Sequence, residues 1–91
     1  MRKSSQEKIL LNLKKAQSHA AKIEEMVEKG EYCVDIMQQN LAIIGLLRSV
    51  HQMLMERHLN SCFKKAMSSR DEKKKKEMTG EILTVTKLFN R

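Results

Sequence analysis

Cys33, His58 and Cys62 are the residues of this chain whose types and spacing suit soft-metal chemistry. His58 and Cys62 stand one helical turn apart, the usual way for a helix to present a chelating pair on one face. Cys33 lies far earlier. On a continuous helix rising about 1.5 Å per residue it would be roughly 37 Å from His58, too far to share an ion within one subunit. The three donors can act together only across a dimer interface. Two thiolates and one imidazole favour Cu(I) or Zn(II), and the lack of an obvious fourth donor tilts the set toward trigonal Cu(I). The same approach would also allow an intersubunit disulfide or polysulfide bridge between Cys33 and Cys62. The plain alternative makes the two cysteines buried small hydrophobes and His58 a surface residue. His19 and His51 belong to no comparable constellation and read as ordinary polar positions.

The elements that must position these donors are helical. The chain has 91 residues, no proline, no tryptophan and seven methionines, so aliphatic and Met side chains must pack one small domain. Chains of this size often complete their core by association. A stripe of Ile9, Leu13, Ala16, Ala20, Ile23 and Val27 predicts a first helix over about 5–29, capped by Ser4 or Ser5 and closed by Gly30. A second helix is expected over 31–67, with Ile36, Met37, Leu41, Ile43, Ile44, Leu46, Leu47, Val50, Met53 and Leu54 apolar. Between Leu41 and Leu47 only Gly45 interrupts the apolar residues near the centre, so more than one face must be buried. The second helix should therefore pack against a copy of itself in an antiparallel four-helix dimer core. Gly45 lies near the midpoint between Cys33 and the His58/Cys62 pair. A crossing there would bring Cys33 of one subunit beside His58 and Cys62 of the other, and would explain a glycine that costs about 1 kcal/mol relative to Ala. Ser68-Ser69-Arg70-Asp71 reads as a connection with Ser69 or Asp71 as cap. A third helix over 71–90 follows, with Met78, Ile82, Val85 and Phe89 on one face. The run Lys73-Lys74-Lys75-Lys76 reads as a solvated basic edge within reach of phosphate.

The formal charge of +7 and a pI near 9.7 favour a polyanionic partner, nucleic acid or an anionic membrane surface. No apolar run could span a bilayer, and Met1-Arg2-Lys3-Ser4-Ser5 lacks the apolar segment of a signal peptide, so a cytoplasmic protein is expected. In a reducing compartment two cysteines suit a metal or redox site better than a structural disulfide. No glycine-rich phosphate loop or nucleophile motif supports an enzyme.

The segments Gly30-Glu31-Tyr32-Cys33-Val34-Asp35-Ile36-Met37 and Leu54-Met55-Glu56-Arg57-His58-Leu59-Asn60-Ser61-Cys62, with Gln39 and Ala42 between them, resemble the copper-sensitive operon repressor family of bacterial metal-sensing repressors. The resemblance covers nearly the whole chain. It implies an all-α fold of three-helix protomers, a four-helix dimer core and commonly a dimer-of-dimers tetramer. It also implies Cu(I) held by Cys33 of one protomer and His58 and Cys62 of the other. Tyr32 matches a tyrosine that supports the ligands in the copper sensors. Their supporting glutamate falls in the third helix, where an ungapped count reaches Met78 and Glu77 or Glu81 stands nearby. Family members bind operator DNA through a basic surface on the first two helices. Here Asn12, Lys15, Ala21 and Ile44 occupy positions usually held by arginine, and Ser18-His19-Ala20-Ala21-Lys22 replaces a Gly-Gln-x-Arg-Gly segment. Lys8, Lys14, Lys15, Lys22 and Arg48 can supply a displaced basic patch, the alternative being a merely solvated basic face.

The resemblance thus implies a Cu(I)-responsive repressor that releases operator DNA on binding copper. Two alternatives stand beside it: a persulfide or polysulfide sensor of the same fold, which would not need His58, and a helical interaction protein with inert cysteines and no DNA binding.

Overall fold

The computed structural model describes residues 3–91, with side chains described from Ser5 onward. Met1 and Arg2, the start of the stretch read above for a signal segment, lie outside the described residues. Among the described residues there are four α-helices, α1 (Lys3–Glu28), α2 (Cys33–His58), α3 (Lys64–Met67) and α4 (Glu72–Phe89), with a π-helical turn over Leu59–Phe63. Two compact units divide between Glu56 and Arg57.

In the first unit α1 and α2 form an antiparallel hairpin. Helix α1 begins by Lys3, so Ser5 lies inside it and is not its cap, while the side chain of Ser4 is outside the description. Gly30 does close the helix. Its φ of 67° places it in the left-handed region, its N–H donates to the Val27 carbonyl at 3.1 Å, and the Glu31 N–H donates to the Met26 carbonyl at 3.0 Å. This paired 5→2 and 6→1 closure satisfies carbonyls the helix leaves free. The chain then turns back, and the Tyr32 carbonyl accepts the Asp35 and Ile36 N–H groups as α2 starts.

The stripe of α1 that loses solvent is Ile9, Asn12, Ala16, His19, Ile23 and Met26, spaced alternately by three and four. It shares Ile9, Ala16 and Ile23 with the expected stripe. Leu13, Ala20 and Val27 are exposed on its flank instead, Val27 at 58%. With the rotated stripe, Asn12 and His19 enter the seam, and Asn12 Nδ2 donates to Ser49 Oγ at 3.2 Å. The less exposed residues of α2 are Ile36, Gln39, Ile43, Leu46, Ser49, Val50, His51, Met53, Met55 and His58, with Val50 buried. Burying a side chain such as Ile9, Met26 or Val50 contributes about 1.5–3 kcal/mol each. A second apolar stripe of α2 stays uncovered: Val34, Met37, Leu41, Ile44, Leu47 and Leu54 are all exposed, Leu41 at 65%.

In the second unit the helical backbone continues through the π turn into α3 and stops at Met67, where the expected second helix ends. Ser69 Oγ donates to the Ala66 carbonyl at 2.7 Å and accepts the Asp71 N–H at 3.3 Å. Asp71 is the cap of α4, its Oδ1 accepting the Lys74 N–H at 3.1 Å. Ala66 is buried, and Met78 and Ile82 are half-buried. Val85 and Phe89, expected on the same face, are exposed. In the lysine run, Lys75 is half-buried and pairs with Glu72 at 3.2 Å, while Lys73, Lys74 and Lys76 are exposed.

Gly30→Ala should cost about 1–2 kcal/mol, because an L side chain disfavours the left-handed conformation. Asp71→Ala should cost about 1 kcal/mol through loss of the cap. Urea unfolding at fixed protein concentration measures both, and an unchanged midpoint in either variant would refute the local geometry behind it.

Candidate metal centre and basic face

Cys33 is the first residue of α2, held there by the Gly30 closure and the turn at Tyr32. It is exposed and free of any disulfide, and Tyr32 beside it is 68% exposed. The side chain thus stands at a helix N-terminus, where backbone N–H groups lack intrahelical acceptors and negative charge is favoured.

His58 and Cys62 belong to the second unit. His58 is the last residue of α2, half-buried, and its imidazole meets the Phe63 ring at a centroid distance of 6.4 Å and an interplanar angle of 49°. Cys62 is exposed and free. The two residues do not lie on an ordinary α-helical turn, because Leu59–Phe63 is π-helical. Ser61 sits within that turn, with Oγ donating to the Arg57 carbonyl at 2.6 Å and standing 3.8 Å from Cys62 Sγ. Turns of this kind occur mostly as single insertions in α-helices, frequently at functional sites. Neither the π turn nor the Phe63 contact is legible in the spacing of the donors.

Among the described residues no group of three or more His, Cys, Asp or Glu side chains is gathered to hold an ion within one chain. Glu77 and Glu81 are exposed on α4 and join no such cluster with His58 and Cys62.

The basic residues of the hairpin are brought together in part. Lys14, Lys15 and Lys22 line an open depression of about 780 Å³ with Ser18, His19, Ala42 and Leu46. Lys8 and Arg48 are exposed and lie outside that lining. His19, read from the sequence as an ordinary polar position, is half-buried here, and its Nε2 is buried without a hydrogen-bond partner. Its place in the alternating stripe of α1 was a usable signal, since that spacing turns it toward α2. Of the positions where arginine was expected by resemblance, Asn12 is committed to the hairpin seam through Ser49, and Ile44 belongs to the uncovered apolar stripe. Among the described residues, no helix is long and apolar enough to cross a membrane.

Comparison with known proteins bears on both regions. The family model described as "Metal-sensitive transcriptional repressor" matches residues 5–87. The copper-sensing transcriptional repressor CsoR of Bacillus subtilis is 35% identical over 91 residues, covering 98% of this chain and 87% of that protein. The copper-sensing repressor RicR of Mycobacterium tuberculosis is 32% identical over 56 residues, covering 62% of this chain and 58% of its own length. Among solved structures, the copper-sensing repressor CsoR with Cu(I) from Geobacillus thermodenitrificans superposes with a TM-score of 0.84 at 34% identity, covering 100% of this chain and 92% of that one.

Proposed function

We propose, from the premise that this chain belongs to the metal-sensitive transcriptional repressor family, that it is a Cu(I)-responsive repressor acting in the cytoplasm. In this reading it binds operator DNA without metal and releases it when copper is bound between two protomers. The relatives named for copper sensing support the choice of ion. The observation that carries the proposal is the donor set itself: two free, exposed thiols and a half-buried imidazole on the same long helical run. That set fits Cu(I), a soft ion suited to thiolates and tolerant of three ligands.

Cys33 of one protomer, with the partner's His58 and the partner's Cys62, would hold the ion. Antiparallel packing of two α2 helices through Val34, Met37, Leu41, Ile44, Leu47 and Leu54 supports this arrangement, because it covers the apolar stripe that α1 leaves open. A side chain added at Gly45 would meet nothing within 4 Å inside the protomer, so the space there is available to a partner helix. Glu77 and Glu81 of α4, with Tyr32, are the candidates to support the ligands. When bound, the ion supplies a crosslink between the start of one α2 and the far end of its partner. The thiols give up their protons to bind it, and His58 supplies a neutral ring nitrogen. Lys14, Lys15 and Lys22, flanked by Lys8 and Arg48, would contact phosphates. Ligand and DNA need only prefer different arrangements of the assembled helices, with a coupling of about 1–3 kcal/mol. A homodimer is the smallest assembly that completes the site, and a tetramer follows the family pattern.

Anaerobic Cu(I) titration should give one equivalent per protomer, with X-ray absorption showing two sulfurs and one nitrogen. Cys33→Ala, His58→Ala and Cys62→Ala should each abolish tight binding, and unchanged affinity in all three would sink the ligand assignment. Should inorganic polysulfide instead link Cys33 to the partner's Cys62 through its sulfane sulfur, leaving as hydrogen sulfide, and release DNA while copper does not, the protein is a thiol sensor.

Operator affinity should fall steeply with salt. Replacing Lys14, Lys15 or Lys22 by Ala should lower the log–log slope by about 0.9 each. A slope near zero in the unmodified protein, or no binding at all, would favour a helical interaction protein.

Gly45→Leu should shift the apo-protein toward monomer in sedimentation velocity while keeping its helix content. Undisturbed association would show that the α2 helices do not cross at Gly45.

A further inference from the structure

The π-helical turn between His58 and Cys62 places a residue that no donor pattern would single out. On an ordinary α-helix, residues five apart are separated by about 140° around the axis and do not share a face. A π turn closes i→i+5 hydrogen bonds and winds more loosely than an α turn, which swings position 63 toward the face that carries position 58. Accordingly, the Phe63 ring lies against the His58 imidazole at 6.4 Å, tilted by 49°, a separation suited to a packed aromatic pair. Both residues are half-buried, whereas Cys62 is exposed.

Ser61 bears on the same turn. Its Oγ donates to the Arg57 carbonyl at 2.6 Å, the acceptor that the Ser61 N–H would use in an α-helix. A hydroxyl bonding back to the carbonyl four residues earlier competes with the backbone ladder; Thr79 and Thr84 make the same bond inside the regular helix α4, so at Ser61 it ties down a turn that is already open. The hydroxyl has one proton, and this short bond takes it. The Lys64 N–H donates to the Ser61 carbonyl, and helical dihedrals resume at Lys64 (φ −59°, ψ −44°).

We infer that Phe63 and Ser61 are positioning residues for the His58/Cys62 pair. Ser61 ties the turn to the Arg57 carbonyl, and the turn sets Phe63 against the imidazole, limiting ring rotation before any ion arrives. This deepens the proposed function and rests on its assignment of His58 as a ligand. Groups that orient a metal-binding histidine typically change affinity by about 10–100-fold when removed.

The test uses the full chain under anaerobic conditions, with Cu(I) affinity measured by competition against bicinchoninate and the His58 ring protons followed by NMR in the metal-free protein. Phe63→Leu keeps apolar volume and removes the ring. It should shift the His58 ring resonances, leave far-UV circular dichroism unchanged and weaken Cu(I) binding about 10–100-fold. Added to His58→Ala, it should cause no further loss, since the two act through one contact. Ser61→Ala should move the same resonances and weaken binding in the same direction, while Ser61→Thr, which keeps the hydroxyl, should restore both. The inference alone is overturned if Phe63→Leu leaves resonances and affinity unchanged while His58→Ala impairs binding, or if its effect persists undiminished in the His58→Ala background. Unchanged affinity in His58→Ala removes the ligand assignment and the inference with it.

Discussion

Helix α2 carries apolar side chains around more of its circumference than one neighbouring helix can cover. The stripe running through Ile36, Ile43, Leu46 and Val50 loses solvent in the hairpin, and the stripe running through Val34, Met37, Leu41, Ile44 and Leu47 does not. Apolar surface left in water forgoes about 25 cal/mol for each Å² that a partner would cover. This uncovered surface is the basis for proposing a second copy, and the proposed metal site depends on it. Cys33 heads α2 and His58 ends it, which is why the proposed site calls for antiparallel pairing.

The hairpin meets a different demand on its other side. A seam made only of aliphatic residues would have matched the expected stripe of Leu13, Ala20 and Val27. Instead Asn12 and His19 enter it, one bonded to Ser49 and the other half-buried with an unpartnered Nε2. Rotating α1 in this way carries Lys14, Lys15 and Lys22 to the rim of an open depression with His19 and Ser18. The arginines implied by family resemblance are replaced by Asn12, Lys15, Ala21 and Ile44, and Lys14, Lys15 and Lys22 are grouped by the turn of the helix. Lysine offers a point charge where arginine offers a planar fork, which suits phosphate attraction better than bidentate recognition.

Much of the architecture was legible in the residues. Gly30 as a closing residue, Asp71 as a cap and the end of the second helical run near Met67 all follow from local chemistry: a left-handed conformation that glycine adopts freely, and a carboxylate that accepts a free N–H. The two-faced α2 was equally visible as a nearly unbroken apolar run about Gly45. The soft-donor trio announced itself by residue type.

Other features depend on forces that periodicity does not encode. An averaged apolar period cannot tell Leu13 from Asn12, because the inward face is set by packing along the whole hairpin, and the Asn12–Ser49 bond keeps the polar group there satisfied. Nor does four-residue spacing between His58 and Cys62 say whether the intervening turn is α or π. Within that turn a serine hydroxyl bonds a backbone carbonyl and an aromatic ring lies against the imidazole, contacts that spacing alone does not encode. The sequence by itself determined the helices, their stops and the chemical identity of the donors, since these rest on local backbone preferences and side-chain type. Only the tertiary structure decided which face α1 turns inward, which lysines gather and how His58 is held, because each of these is settled by contacts in three dimensions.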